Sequence, residues 1–180
     1  MGDPRSLRKK YSGPGHPWQS ERLQEENILV REYGLSTKRE LWKVASKLKL
    51  FADQAKTLIA LRTVQAEAER RQLLDRLARL GMLPADSKLD DVLGLSIRSL
   101  LDRRLQTIVM KKGFAKSMKQ ARQFIIHAHV VVGSKKVSAP GYLVSVLEEP
   151  SVGFVENSSL ANADHPERVS KPSAKKEASA

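Results

Sequence analysis

The chain has 180 residues, with 32 Lys or Arg against 20 Asp or Glu, a formal net charge of +12 and an isoelectric point near 10.1. An apolar content of 41% allows one or two domains with a real core, and the positive surplus favours an anionic partner. No run approaches the ~20 apolar residues of a membrane span, no apolar segment follows the basic N-terminus as in a signal peptide, and the absence of Cys excludes disulfides and Cys-ligated zinc while fitting a reducing cytosol.

In chain order, residues 1–19 read as an extended basic arm. It carries Arg5, Arg8, Lys9 and Lys10 and then S-G-P-G-H-P-W. Two Pro and two Gly within residues 13–17 prevent regular structure. Such an arm is disordered when free, and its cations suggest phosphate as the partner that would order it. Trp18 is expected to anchor the arm to its own domain rather than to stack on a base.

Residues 20–96 read as a helical domain. Ser20 is expected to cap a first helix that runs to about Tyr33 and stops at Gly34. Thr37 and Glu40 have the spacing of a capping box that opens a second helix. Leu41, Val44, Ala45, Leu48 and Ala52 recur there at helical intervals, and Trp42 belongs with that core. A third helix, 64–80, holds Arg70, Arg71, Arg76 and Arg79 together with Glu67, Glu69 and Asp75, so its charges are expected to pair at i+3 or i+4. Gly81 and Pro84 end it. Over residues 51–100 eight bases meet seven acids, which makes this half chiefly a scaffold. The acidic S-K-L-D-D-V-L-G-L at 87–95 reads as a linker or short helix.

Residues 103–136 differ sharply from this background, with nine Lys or Arg and no Asp or Glu. One helix is expected over 97–111, with Leu101, Leu105, Ile108 and Val109 on its apolar face. Arg104, Thr107 and Lys111 lie on another face, with Arg103 and Gln106 beside them. Lys112 follows, and Gly113 suits the left-handed turn that closes a helix. Ser117 and Gln120 then form an S-x-x-Q capping box. In the second helix Met118, Ala121, Phe124, Ile125 and Ala128 face inward. Lys116, Gln120, Gln123 and His127 form the opposite stripe, flanked by Lys119 and Arg122. The β-branched run after His129 is expected to turn at Gly133-Ser134 into a hairpin, with return strands from Val137 and from 142–146. V-G-F-V-E-N further on can add a last strand. Residues 158–180, rich in Ala, Ser, Pro and Lys, read as a disordered tail.

Lys and Arg neutralise phosphates, and Gln, Thr and Ser hydrogen-bond phosphate or sugar oxygens. An ordinary solvated helix carries alternating charge signs, and here all the signs agree. The reading is therefore nucleic-acid binding. Nothing points to catalysis. His127 and His129 stand at a helix-to-strand transition where their side chains are expected to diverge. No metal-ligand spacing, phosphate-binding glycine loop or nucleophile elbow occurs. Asp102, beside Arg103 and Arg104, reads as a salt-bridge or helix-start partner. No metal and no cofactor are expected.

R-R-L, K-G-F-A-K-S-M-K-Q-A-R-Q-F-I, the V-V-G hairpin and the downstream P-G-Y-L-V together resemble the RNA-binding module of the small-subunit ribosomal protein four (S-four) family. G-H-P-W followed by a Glu-rich helix and K-R-E-L-W resembles the archaeal and eukaryotic branch of that family. The resemblance covers about residues 3–154. It implies an α+β fold, with a helical domain followed by a two-helix-plus-sheet RNA-binding domain at 97–157. It further implies a non-enzymatic structural protein that sits in the cytoplasmic ribosome, binds the 5′ region of small-subunit ribosomal RNA, assembles early and contributes to translational accuracy. Small-subunit ribosomal protein five is the implied protein neighbour, and messenger RNA near the entry channel a further contact. The module also occurs outside the ribosome, so the alternative is a free RNA chaperone or stress protein. The residues expected to touch RNA are Arg103, Arg104, Thr107, Lys111, Lys112, Lys116, Ser117, Lys119, Gln120, Arg122, Gln123 and His127, with Arg5, Arg8, Lys9 and Lys10 from the arm.

Overall fold

A computed structural model describes residues 9, 11–84, 86–162 and 165–167. Arg5, Arg8 and Lys10 of the arm, and residues 168–180 of the tail, lie outside the described residues. The fold is α+β, with seven α-helices and one small antiparallel sheet among the described residues. It divides into two compact units, Met1–Arg103 and Arg104–Ala180.

The first unit is helical. It contains α1 (Ser20–Glu32), α2 (Lys38–Ala60), α3 (Val64–Arg79), α4 (Leu89–Leu93) and α5 (Ile97–Asp102). The long α2 is the centre, packing against each of the other four. Its inward side is formed by Leu41, Phe51, Ala55 and Leu58, which meet a core shared with Leu73 and Leu77 of α3, Val92 of α4, and Leu100 and Leu101 of α5. Burying such side chains supplies most of a helical domain's stability, about 1.5–3 kcal/mol for each large one.

Local chemistry at the helix starts departs from expectation. Ser20 is the first residue of α1 rather than its cap, and Gln19, which occupies the cap position, makes no side-chain capping bond. Thr37 caps α2 without a side-chain hydrogen bond, and Glu40 accepts from Ser36 Oγ (2.8 Å) instead of closing a box on Thr37. At α3 the cap is Thr63, whose hydroxyl accepts from the Ala66 N–H (3.2 Å). The ion pairs expected along α3 are not formed among the described residues, and its arginines turn to other elements instead. Arg70 reaches back to the end of α2, where Nε donates to the Leu58 carbonyl (3.0 Å) and Nη2 to that of Leu61 (2.7 Å). These are carbonyls that a helix end leaves without an intrahelical partner. Arg76 lies over the Phe51 ring, 5.7 Å from its centroid, a cation–π contact.

Glu26, on α1, is the one buried acid of this unit among the described residues. It takes a hydrogen bond from Trp42 Nε1 (3.0 Å), pairs with Arg22 four residues earlier, and meets Lys38 Nζ at 3.3 Å. Burial pushes its carboxyl up, but the bonds from Trp42, Arg22 and Lys38 outweigh that and hold it below the ordinary value of 4.5. The cluster also fixes the incoming chain. Arg22 Nη2 donates to the carbonyls of His16 (3.1 Å) and Pro17 (2.9 Å), the Tyr11 ring rests 6.3 Å from that of Trp42, and the Ser12 N–H donates to Ser46 Oγ. Trp42 is thus half-buried and structural, as its position in an apolar turn suggested. Trp18 is not the anchor: it is 91% exposed, and Arg22 and Tyr11 perform that task.

The second unit starts where a continuous helix was expected. Instead of one helix over 97–111 there are two, because Arg104 adopts an extended backbone (φ −71°, ψ 144°) and bridges to Leu143. The Leu105 N–H then donates to the Tyr142 carbonyl (2.8 Å). Neither Pro nor Gly marks this break; a tertiary pairing makes it. After it come α6 (Leu105–Lys111), α7 (Met118–Ile126) and the strands β1 (Val130–Val132), β2 (Lys135–Lys136) and β3 (Val152–Phe154). The sheet order is β2-β1-β3, all antiparallel, with Val131 opposite both Lys136 and Gly153. The hairpin turns at Gly133 as expected, at φ 61°. The third strand comes from Val152–Phe154, as the V-G-F-V-E-N reading allowed. Residues 142–146 form no strand. They are drawn into a loop that Glu148 ties together, accepting from the Ser145 N–H (2.9 Å), Ser145 Oγ (2.9 Å) and Tyr142 OH (2.8 Å).

Leu105, Ile108, Val109, Ala115, Ala121, Phe124, Ile125, Val130, Val132, Val144, Val152 and Leu160 make one core, with Phe154 between Phe114 and Phe124 at its edge. Leu160 corrects the expectation of a wholly disordered tail: Ser158 caps a short 3-10 turn, Ser159–Ala161, and that turn drives Leu160 into the core.

Candidate nucleic-acid interface

The interface is built on α7 and the turn before it. Residues 113–117 leave α6 through Gly113, whose φ of 75° suits glycine, in a paired hydrogen-bond turn (Phe114 N–H to Val109 O, Gly113 N–H to Met110 O). Ser117 then caps α7, its hydroxyl accepting from the Gln120 N–H (3.2 Å). The Gln120 side chain completes the cap one residue earlier than a capping box requires, accepting from the Lys116 N–H (2.7 Å). With Ala121, Phe124 and Ile125 buried, the other side of the helix is fixed outward.

The expected residues of this unit are mostly either solvent-facing or buried. Lys116, Ser117, Lys119, Gln123 and His127 are exposed on the outer side of α7 and its N-terminal turn, with Gln120 and Arg122 half-exposed beside them. Lys111 is exposed at the end of α6. A second group does not face solvent. Arg104 and Thr107 are 3% and 4% exposed, and Gln106, expected beside them, is fully buried, its Nε2 donating to the Met118 carbonyl (2.8 Å). The polar face expected of the 97–111 helix is therefore not an outward face. The break at Arg104 restarts the helix, and its first five residues, Leu105 to Val109, are all buried. Arg103, partly exposed, ends the first unit.

Lys112, and Lys116 and Gln120 of the outer set, are engaged with the chain itself. Lys112 Nζ donates to the Glu149 and Val152 carbonyls, tying α6 to the start of β3. Lys116 Nζ and Gln120 Nε2 donate to the carbonyls of Pro166 (3.0 Å) and Glu167 (2.9 Å). Two side chains at the start of α7 thus bond acceptor oxygens of the chain's own 166–167 segment. Of the arm residues, Lys9 is described and exposed, while Arg5, Arg8 and Lys10 lie outside the described residues.

Two cations belong with the exposed set that the residue choice passed over. Lys135 and Lys136 form β2, an exposed edge strand beyond the Gly133 turn. Their place in the acid-free stretch was the available signal, but without the hairpin register nothing distinguished them from solvated charges. Glu148 is held below its ordinary value, first by the Ser145 N–H, then by the Tyr142 and Ser145 hydroxyls and more weakly by Lys135.

The histidines do not diverge as expected. The rings of His127 and His129 lie 6.3 Å apart, and with His165 and Gln123 they line one cavity of about 180 Å³. His129 Nδ1 is 2.8 Å from Ser158 Oγ. Among the described residues no group of three or more His, Cys, Asp or Glu is placed to hold a metal ion, and no helix is long and apolar enough to cross a membrane.

Two helices packed on a small antiparallel sheet, with a cationic and amide-bearing outer helix, are the fold that the S4 domain family model matches here over residues 103–149. This is an S4-domain protein, and all but the first of the matched residues lie in the second unit. Beyond the domain, the chain is 49% identical over 170 residues to small ribosomal subunit protein uS4 of Methanococcus aeolicus, an alignment spanning 94% of this chain and 96% of the relative. It is 50% identical over the same shares to that of Methanococcus maripaludis and 48% identical to that of Methanococcus vannielii. The chain belongs to the uS4 family of small ribosomal subunit proteins.

Proposed function

We propose that the chain is a structural, non-catalytic component of the small subunit in the cytoplasmic ribosome, where it binds the 5′ region of small-subunit ribosomal RNA early in assembly. The observation that carries the RNA contact is the outer side of α7: Lys116, Ser117, Lys119, Gln120, Arg122, Gln123 and His127 stand on one side of a helix that the buried Ala121, Phe124 and Ile125 lock in orientation. Lys111 at the end of α6 and Lys135 and Lys136 on the hairpin extend the cationic set. Arg104 and Thr107, buried in the unit, are left out of the direct contact, and the arm's Arg5, Arg8, Lys9 and Lys10 are secondary contacts. Recognition is by phosphate pattern and shape, because side chains do not reach bases in the deep A-form major groove.

Small-subunit ribosomal protein five as neighbour, messenger RNA near the entry channel, and a contribution to translational accuracy are parts of the same proposal, supported by family membership. The division of labour between a near-neutral helical scaffold and a cationic RNA-binding unit supports the four-part organisation, with arm, helical domain, RNA-binding domain and tail.

The test is binding of the purified protein to small-subunit ribosomal RNA and to an unrelated structured RNA of equal length, at two salt concentrations. A preference of about a thousandfold or more for the ribosomal RNA at moderate salt is expected, as for specific nucleic-acid complexes generally. Equal binding that is lost equally as salt rises would leave only phosphate attraction and favour the free chaperone.

A further inference from the structure

We infer that Trp18 is a base-stacking contact, the place where the arm grips an unpaired nucleobase of the bound RNA. This rests on the RNA-binding reading above and adds a second kind of contact to it.

The chain has nine aromatic side chains, all among the described residues. Eight have a partner within the fold. Tyr11 lies against Trp42; Tyr33 bonds Asp102; Phe51 carries Arg76; Phe114, Phe124 and Phe154 cluster in one core; Tyr142 bonds Glu148; and Trp42 also bonds Glu26. Trp18 is the exception at 91% exposed. A single exposed apolar side chain needs no explanation by itself. What sets this one apart is that its backbone is held. Arg22, itself braced by Glu26, donates to the carbonyls of His16 and Pro17, the two residues immediately before it. Upstream, Tyr11 on Trp42 and Ser12 on Ser46 fix the other end of the arm segment. Between these points, Pro14 and Pro17 restrict the path. The largest apolar surface a side chain can offer is thus presented to solvent from a position that costs little further entropy to use.

Charge decides what it meets. Residues 4–20 carry Arg5, Arg8, Lys9 and Lys10 and not one Asp or Glu. A Trp that anchors a protein partner sits in an apolar, water-excluding surround. Here the flanking His16, Pro17, Gln19 and Ser20 are all exposed, and three of the four are polar. An exposed aromatic face carried by a segment of cationic sequence is instead suited to single-stranded nucleic acid, with the cations tracking the backbone and the ring stacking a base. Loops and bulges of a folded ribosomal RNA supply such bases.

The full-length protein and its Trp18→Ala and Trp18→Phe variants would be titrated with small-subunit ribosomal RNA and with the unrelated structured RNA, each at two salt concentrations. Tryptophan fluorescence would be recorded throughout. Trp18→Ala should weaken binding about tenfold without changing the salt slope, since no phosphate contact is lost. Trp18→Phe should recover most of the affinity. The difference in emission between wild type and Trp18→Ala, which isolates Trp18 from the half-buried Trp42, should be quenched as RNA binds. Wild-type affinity in Trp18→Ala overturns the inference, and it does so equally if that variant then fails to join the particle, since Trp18 would then meet protein. A parallel loss of salt slope also overturns it. If wild type shows no preference for ribosomal RNA, the proposed function fails, while a Trp18-dependent loss on both RNAs would still uphold stacking.

Discussion

Ala128 holds a position that glycine holds elsewhere in this chain. The ends of α1, α3, α6 and α7 share one hydrogen-bond pattern, in which two successive N–H groups turn back to the last helical carbonyls. At the first three the left-handed residue is glycine; at α7 it is Ala128, at φ 58°. A Cβ in that region costs about 1–2 kcal/mol, while replacing Ala by Gly loosens the unfolded chain by about 0.4–1 kcal/mol. Ala128→Gly should therefore stabilise the protein by roughly 0.5 kcal/mol net, seen as a rise of a few degrees in melting temperature. A fall of that size would show that the helix does not end in this turn. Lys112 and Lys119 make the complementary case. Both are lysines of the acid-free stretch, yet Lys112 is half-buried and bonded to two carbonyls, while Lys119 is exposed. Lys112→Met should cost about 1–2 kcal/mol of stability and leave the salt dependence of RNA binding intact. Lys119→Gln should keep the melting temperature and lower the salt slope by about one unit. The reverse assignment, read from the same melts and titrations, would remove Lys119 from the interface.

The elements were legible to different degrees, for physical reasons. Periodic apolar residues defined α2 and α7, and Ser117, Gly113 and Gly133 correctly marked the start of α7, the end of α6 and the hairpin turn, because these depend on neighbours a few residues away. The break between α5 and α6 depends on Leu143 pairing with Arg104, thirty-nine residues distant, and no local signal could report it. The same break is why Arg104 and Thr107 were read as outward. The return strand failed for a related reason: residues 142–146 have the apolar content of a strand, but the Glu148 bonds hold them in a loop. At this scale Glu26 joins α1 to α2, and its effect depends on pH. Its folded value lies below the ordinary one, so its contribution is fully present above the unfolded carboxyl's value near 4.5 and is lost as pH falls through the folded value. Glu26→Gln should lower stability by about 1–2 kcal/mol at neutral pH, and the gap between variant and wild-type melting temperatures should close at acid pH. A gap that stays constant from neutral to acid would show that charge is not what Glu26 contributes.

For the whole molecule, the two units answer to different parts of the composition. Near-neutral helices form the first around α2, and the acid-free stretch makes most of the second. The family match ends at residue 149, but β3 and Leu160 lie beyond it. Without them β1 would lose one of its two neighbours, and Val130 and Val132 would lose part of their cover. A fragment spanning 104–149 should accordingly show no cooperative thermal transition, and one spanning 104–167 should show one. Cooperative melting of the shorter piece would mean that β3 and Leu160 decorate the domain rather than complete it.

Leu160 also bears on how such a module can be moved between proteins. A boundary drawn where the domain match ends would cut the chain before Leu160, the last buried side chain among the described residues, and a graft made there would carry an open seam of valines into its new host. The transferable piece is larger than the recognisable one, and its final closure is a single leucine in a stretch of serine, alanine and asparagine that looks dispensable.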